Sequence, residues 1–282
     1  MRRVALFAHY DGHDEVKPHI VTHLRALREV CAEVILISTA RLSSAELAKV
    51  QPLCERTLQS ENVGYDFGMW QLALADLELD AIDELVLTNS SVFGPLFPLA
   101  PIFTQMAERD CDFWAMTDNF EIRWHLQSYF LVIKRRALRA PAFSRFFASV
   151  LPYRNKDQVI RSYELGLTQF LREQGLIPGA FVPTASWLSS PREQARLCAK
   201  RQNSTLYYPT ELLAAGMPFV KMQLLRDNPA RVRLSGVLRQ MKNAGFDMTS
   251  VRFDRPSALK PLGRSLRERF RRKRVDLERS RG

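Results

Sequence analysis

The 282 residues are 46% hydrophobic and 25% charged, the balance of a globular chain with a sizeable core, which excludes a disordered or fibrous class. Four scattered cysteines (Cys31, Cys54, Cys111, Cys198) form no CxxC pair, so they argue against a thiolate zinc site or a disulfide framework and fit a reducing compartment. The net charge of +11 is uneven: residues 256–282 hold ten Lys/Arg against three Asp/Glu, or +7, leaving +4 for the rest.

Met1-Arg2-Arg3 runs directly into an apolar stretch, without a leader-like segment, and no run is long enough to span a bilayer. The expectation is a cytoplasmic protein. Val4 to Ala8 reads as a buried strand, followed by the polar loop His9-Tyr10-Asp11-Gly12-His13-Asp14. Pro18 to Val30 reads as a helix with Ile20, Leu24 and Leu27 on one face. Val34 to Ser38 is a second apolar, β-branched strand. Such runs suit strands covered on both faces, so strand, loop, helix, strand opens a doubly wound α/β fold. Ser43 to Glu46 has the character of a capping box, and Cys54 to Leu58 reads as a short strand.

Glu61-Asn62-Val63-Gly64-Tyr65-Asp66-Phe67-Gly68 precedes a helix expected over Trp70 to Leu79. Its two glycines, four apart, either let backbone approach a ligand or serve a helix start with a buried Tyr and a capping Asp. Leu85 to Leu87 is then a buried strand that opens abruptly into Asn89-Ser90-Ser91 before Gly94-Pro95. Ligands of open α/β sheets bind at the carboxyl ends of strands, and the same residues also build plain turns. A helix over Leu99 to Arg109 leads to a strand over Asp112 to Thr117, ending in Asp118-Asn119. His125 to Ile133 reads as one strand carrying polar residues, closed by the basic turn Lys134-Arg135-Arg136; a lone His there is more often structural than catalytic.

Ser144 to Leu151 and Lys156 to Gln174 read as helices, the second ended by Gly175. Glu164 lies near its middle, where a Glu is ordinarily a solvated surface residue. Pro178 to Val182 is a strand, Pro209 to Ala215 a helix, Pro218 to Pro229 an apolar segment closed by a turn, and Val232 to Ala244 a helix ended by Gly245.

Six of these segments, in order, resemble the rhamnan synthesis protein F family: Val4 to Asp11, Glu61 to Gly68, Glu84 to Pro95, His125 to Val132, Tyr163-Glu164-Leu165-Gly166-Leu167-Thr168 and Pro218 to Pro229. The resemblance implies a Rossmann-like α/β fold of the glycosyltransferase-A type with a mostly parallel sheet, over residues 1–255; the charge distribution sets off a basic C-terminal tail over 256–282. It also implies a glycosyltransferase acting on bacterial surface polysaccharide or O-antigen, with a nucleotide-sugar donor, rhamnose first among the deoxyhexoses, and a lipid-linked or polysaccharide acceptor. The alternative is a non-catalytic relative that binds nucleotide-sugar or glycan, or scaffolds an assembly complex.

Carried over residue by residue, the resemblance places the donor nucleotide at Tyr10, Asp11, Asn62, Tyr65, Asp66, Asn89, Ser90 and Ser91. It makes Glu164 the base of an inverting transfer and puts His125 and Gln127 on the acceptor side. The family carries Asn-Asp-Ser where this chain has Asn89-Ser90-Ser91, and a hydroxyl is a poor ligand for Mg²⁺ or Mn²⁺. Three explanations stand: Asp118 or Asp66 holds the metal, with Asp118 first; Lys/Arg side chains or a helix N-terminus replace it; or activity is lost.

The tail over 259–274 spaces Leu262, Leu266 and Phe270 as a basic amphipathic helix would. It reads either as an element lying on the anionic inner face of the cytoplasmic membrane or as a solvated tail. It lacks interleaved stacking aromatics, which argues against nucleic acid.

Overall fold

A computed structural model describes residues 1–188, 190–200 and 202–246. The expected tail helix over 259–274 lies outside the described residues. The first half follows the apolar pattern closely: β1 (Arg3–His9), α1 (Pro18–Arg28), β2 (Glu33–Ser38), α2 (Ser44–Val50), β3 (Arg56–Gln59), α3 (Tyr65–Leu74), β4 (Glu84–Asn89), β5 (Val92–Phe93) and α4 (Ala100–Ala107). Next come β6 (Phe113–Asn119), β7 (His125–Leu126), β8 (Phe130–Lys134), α5 (Arg135–Arg139), α6 (Pro141–Ala148), α7 (Lys156–Val159) and α8 (Leu165–Glu173). The last described elements are β9 (Pro178–Val182), α9 (Thr184–Trp187), α10 (Pro191–Lys200), α11 (Ser204–Tyr207), α12 (Pro209–Ala214), β10 (Val220–Lys221), α13 (Met222–Asp227) and α14 (Ser235–Asn243).

The central sheet runs β3-β2-β1-β4-β8-β6, with β7 and β9 both paired to β6. β3, β2, β1 and β4 are mutually parallel, β8 is antiparallel to both β4 and β6, and β9 is parallel to β6. The mostly parallel α/β class is therefore as expected. Alternation along each strand feeds two buried layers. Leu6, Ile35, Leu87 and Ile133 pack on Phe67, Trp70, Phe143 and Leu167 of α3, α6 and α8. Phe7, Leu36, Val86 and Val132 pack on Leu24 and Leu27 of α1 and Phe103 of α4. A third cluster joins Phe93 of β5 and Val220 of β10 to Leu213, Leu224 and Met241.

Several expectations are corrected. α3 starts at Tyr65, five residues before Trp70, and stops at Leu74. Its start is unusual: Gly64 and Tyr65 both have positive φ, +73° and +52°. The Gly64 amide donates to the Tyr153 carbonyl (2.9 Å) and the Tyr65 hydroxyl to the Arg154 carbonyl (3.2 Å), which hold this conformation. A Cβ on Gly68 would lie 2.3 Å from the Val63 carbonyl oxygen, so the second glycine serves close packing of the helix start. The strand expected over His125 to Ile133 is two strands, broken at Gln127-Ser128-Tyr129. The expected basic turn at Lys134 begins helix α5. The long helix from Lys156 contains a π-helical turn, Ile160–Glu164, before α8.

Among the described residues no helix is long and apolar enough to cross a membrane.

α1 carries two buried histidines. His23 is fully buried against Phe7, Phe130 and Phe219, with neither ring nitrogen hydrogen-bonded among the described residues. Burial pushes its pKa down to about 3, and burial together with the nearby Lys17 pushes that of His19 down to about 4. Both values lie below the free imidazole's, so the unfolded chain takes up protons first. Their contribution to stability is whole above pH 6.5 and is lost as pH falls toward 4 and then 3. Urea unfolding is expected to show a loss of at least about 3 kcal/mol between pH 7 and pH 4. His23→Phe should shrink that loss; an unchanged pH dependence in this variant would contradict the assignment.

Candidate functional site

The register of the sheet decides which groups meet at its C-terminal edge. β1 pairs Ala8 with Asn89, and β8 pairs Phe130 with Thr88. The strand end at Asn89 therefore lies between the loop that follows β1 and the Gln127-Ser128-Tyr129 break.

Asn89 is buried, and its amide Nδ2 donates to Asp66 Oδ2 (2.7 Å) in the first turn of α3. Its Oδ1 accepts from the Ser91 amide (3.0 Å) and the Ser91 hydroxyl (2.6 Å). The Tyr10 amide donates to Ser90 Oγ (3.2 Å), and that hydroxyl lies 3.3 Å from the Tyr10 carbonyl. The structure thus brings Tyr10, Asp66, Asn89, Ser90 and Ser91 together. The Tyr10 side chain is 56% exposed, a ring available for stacking.

Asp11 has another task. Its Oδ1 accepts from the His13 and Glu15 amides and its Oδ2 faces Lys17 Nζ (3.1 Å). Burial opposes ionisation, but the His13 amide and Lys17 outweigh it and hold this carboxyl below the usual range. Asp11 shapes the loop that presents Tyr10. Asn62 is exposed, and Tyr65 is half-buried with its hydroxyl committed to Arg154. His9, at the end of β1, is buried with Nδ1 2.9 Å from Ser38 Oγ, and burial lowers its pKa.

Glu164 closes the π-helical turn and is half-buried. Its Oε1 accepts from the Ser128 hydroxyl (3.1 Å) and the Ser128 amide (3.4 Å). Among the described residues no donor meets its Oε2. The Thr88 hydroxyl donates to the Tyr129 carbonyl (2.8 Å), which keeps the residue after Ser128 beside the end of β4. The π turn adds a residue to the helix where this carboxylate meets Ser128, and such turns often mark functional positions.

His125 and Gln127 are buried below this edge. His125 Nδ1 lies 2.8 Å from the Arg123 carbonyl, a structural contact. Gln127 Nε2 donates to Asn203 Oδ1 (3.0 Å), while its Oε1 has no partner among the described residues.

Asp118 is 6% exposed and serves as a junction. Oδ1 accepts from the Thr184 amide (2.8 Å) and hydroxyl (2.6 Å), and Oδ2 accepts from Trp124 Nε1 (2.9 Å). These bonds tie β6 to the start of α9 and to the loop before β7. Among the described residues no group of three or more His, Cys, Asp or Glu is placed to hold a metal ion. At the Asn89-Ser90-Ser91 turn the Asn89 oxygen is already shared by two donors and, among the described residues, Asp66 is the one carboxylate in contact, so this donor set does not fit a hard divalent cation.

The sequence reading missed Ser128 and Lys221. Lys221 pairs with Val92 across β10 and β5, the Met222 amide donates to the Ser91 carbonyl (2.9 Å), and Lys221 Nζ sits 4.5 Å over the Tyr129 ring. Both residues lay inside segments carrying the family resemblance, but nothing local in either segment pointed to the edge. An open groove of about 500 Å³ lined by Arg145, Phe146, Ser149, Ser162, Gly166 and Phe170 lies on the helical layer and presents no carboxylate.

The family model described as rhamnan synthesis protein F matches residues 34–251. The chain belongs to the rhamnan synthesis protein F family. It is 28% identical over 219 residues to the virulence protein VirA of Vibrio anguillarum, covering 70% of this chain and 69% of that protein. Among solved structures, the glycosyltransferase GlyE of Streptococcus pneumoniae TIGR4 is similar at a TM-score of 0.47 and 10% identity, over 89% of this chain and 62% of that one. The galactosyltransferase LgtC, in complex with donor and acceptor sugar analogs, is similar at 0.46 and 14% identity, over 86% and 95%.

If Asp118 is a junction, Asp118→Asn should lower unfolding free energy by about 1–3 kcal/mol, because the Thr184 and Trp124 donors lose a charged acceptor. Urea titration checks this. A variant with wild-type stability would return Asp118 to the list of ligand-binding groups.

Proposed function

We propose that this chain is an inverting glycosyltransferase, moving a deoxyhexose, rhamnose first, from a nucleotide-sugar to a bacterial surface polysaccharide or O-antigen acceptor. The observation that carries this reading is the Ser128–Glu164 contact (3.1 Å), which ties a carboxylate to the segment whose Tyr129 carbonyl accepts from Thr88 Oγ1 (2.8 Å), one residue before Asn89. Membership of the rhamnan synthesis protein F family supports the polysaccharide context.

The chemistry follows from the residues. Glu164 Oε2 takes the proton from an acceptor hydroxyl. The acceptor oxygen forms its bond to the anomeric carbon as the bond from that carbon to the diphosphate breaks. The nucleoside diphosphate leaves with the electron pair. Ser128 keeps Oε1 fixed, so the proton-accepting oxygen is held in one orientation. Tyr10 stacks on the donor base, and the turn at Asn89-Ser90-Ser91 offers hydroxyls to sugar or phosphate. A lipid-linked acceptor at the inner face of the cytoplasmic membrane fits this reading, with the basic tail as the contact to the surface.

The test is turnover with a panel of nucleotide-sugars and rhamnose-containing acceptors, comparing wild type with Glu164→Gln. Loss of at least about a hundredfold in kcat, with nucleotide binding retained, is expected. Full activity in Glu164→Gln would overturn the base assignment. Nucleotide-sugar binding without turnover on any donor would favour the non-catalytic binding protein, a reading supported by Ser90 standing where the family has Asp.

A further inference from the structure

We propose that Lys221 holds the diphosphate of the donor and of the departing nucleotide, supplying from the protein the positive charge that a divalent metal would otherwise bring. This rests on the donor-site reading above and adds the identity of its cation.

A nucleotide-sugar carries two negative charges on its diphosphate, and breaking the bond to the sugar adds another. Fixed positive charge near those oxygens lowers the barrier because it needs no reorganisation as the charge develops. The carboxylates expected to recruit a metal are poorly suited here. Asp118 is committed to Thr184 and Trp124, and Asp66 accepts from the Asn89 amide.

Lys221 is delivered to this edge by a specific device. β10 is two residues long and pairs antiparallel with β5, Val220 with Phe93 and Lys221 with Val92. The ladder is extended by the Met222 amide on the Ser91 carbonyl (2.9 Å) and the Leu96 amide on the Pro218 carbonyl (2.7 Å). Gly94 makes this approach feasible: its φ is +139°, and a Cβ there would lie 2.5 Å from the Pro218 oxygen and 2.6 Å from the Phe219 ring. The backbone beside Lys221 is thus bonded directly to the donor turn.

Its ammonium is placed by an aromatic floor. Nζ stands 4.5 Å from the centroid of Tyr129, the residue between Ser128 and Phe130. The Tyr129 carbonyl accepts from Thr88 Oγ1 (2.8 Å), and its hydroxyl donates to Met217 Sδ (3.3 Å). The ring is fully buried, so its face is a fixed support for a cation. Lys221 is half-buried, with a compact charge and rotatable donors suited to the oxygens of a diphosphate. One residue of the β8 approach holds Glu164 and the next supports Lys221. This gives the proposed base and the proposed leaving-group cation adjoining mounts.

Calorimetric titration of the full chain with UDP, GDP and dTDP, all in EDTA, tests this, using wild type, Lys221→Ala, Lys221→Met and Lys221→Arg. The expected result is that one diphosphate binds wild type in EDTA. Lys221→Ala and Lys221→Met should each weaken it at least tenfold, with wild-type melting temperature in at least the Met variant, which keeps most of the aliphatic stem. Lys221→Arg should recover most of the affinity. Unchanged affinity in a folded Lys221→Met would overturn the proposal and leave the donor site standing. Binding that appears only with Mg²⁺ or Mn²⁺ would also overturn it. If none of the three diphosphates binds wild type, with or without metal, the donor-site reading falls and takes this proposal with it.

Discussion

The candidate site depends on one side chain, Asn89, at the end of the strand that both β1 and β8 flank. Its amide nitrogen binds Asp66 and its amide oxygen binds the Ser91 amide and hydroxyl. A buried amide with both ends satisfied is stable in one orientation only, because flipping it would face an oxygen to a carboxylate. That orientation fixes three things together: the first turn of α3, the turn after β4 and, through the Ser91 carbonyl, the approach of β10. The strained start of α3, with Tyr65 at φ +52°, is held at its other side by Tyr153 and Arg154.

Much of the scaffold was legible because the strands are buried on both faces. Val4 to Ala8, Val34 to Ser38 and Leu85 to Leu87 are apolar for a reason that needs no tertiary knowledge. Ser43 caps α2 through the Glu46 amide, as its spacing implies. What was not legible is where tertiary contacts override local pattern. Gly64 and Gly68 read equally well as a ligand loop, and only the 2.3 Å approach of Val63 to a Cβ on Gly68 shows packing to be the reason. The break at Gln127-Ser128-Tyr129 hides inside an apolar run because its purpose is to meet Glu164, Asn203 and Lys221, each distant in sequence. Helices α9 and α11, four residues each, are too short to show a period, and Asp118 and Asn203 anchor their starts through side-chain hydrogen bonds.

The site residues divide the same way. Tyr10, Asp66, Asn89, Ser90 and Ser91 come together at one edge, and Glu164 approaches through Ser128. Asp11 and Asp118 instead spend their charge on nearby backbone and side-chain donors. A carboxylate in a polar-looking motif is ambiguous in sequence, since shaping a loop and binding a ligand call for the same residue type. The turn Asn89-Ser90-Ser91 brings amide and hydroxyl groups and no charge of its own.

The most direct test is the crystal structure of the full chain with a bound nucleoside diphosphate. The account predicts the diphosphate at the Asn89-Ser90-Ser91 turn, within hydrogen-bonding reach of Lys221, with the base against Tyr10 and Glu164 facing the open side of the phosphate. A nucleotide seated elsewhere, such as the groove between α6 and α8, with the end of β4 empty, would contradict it.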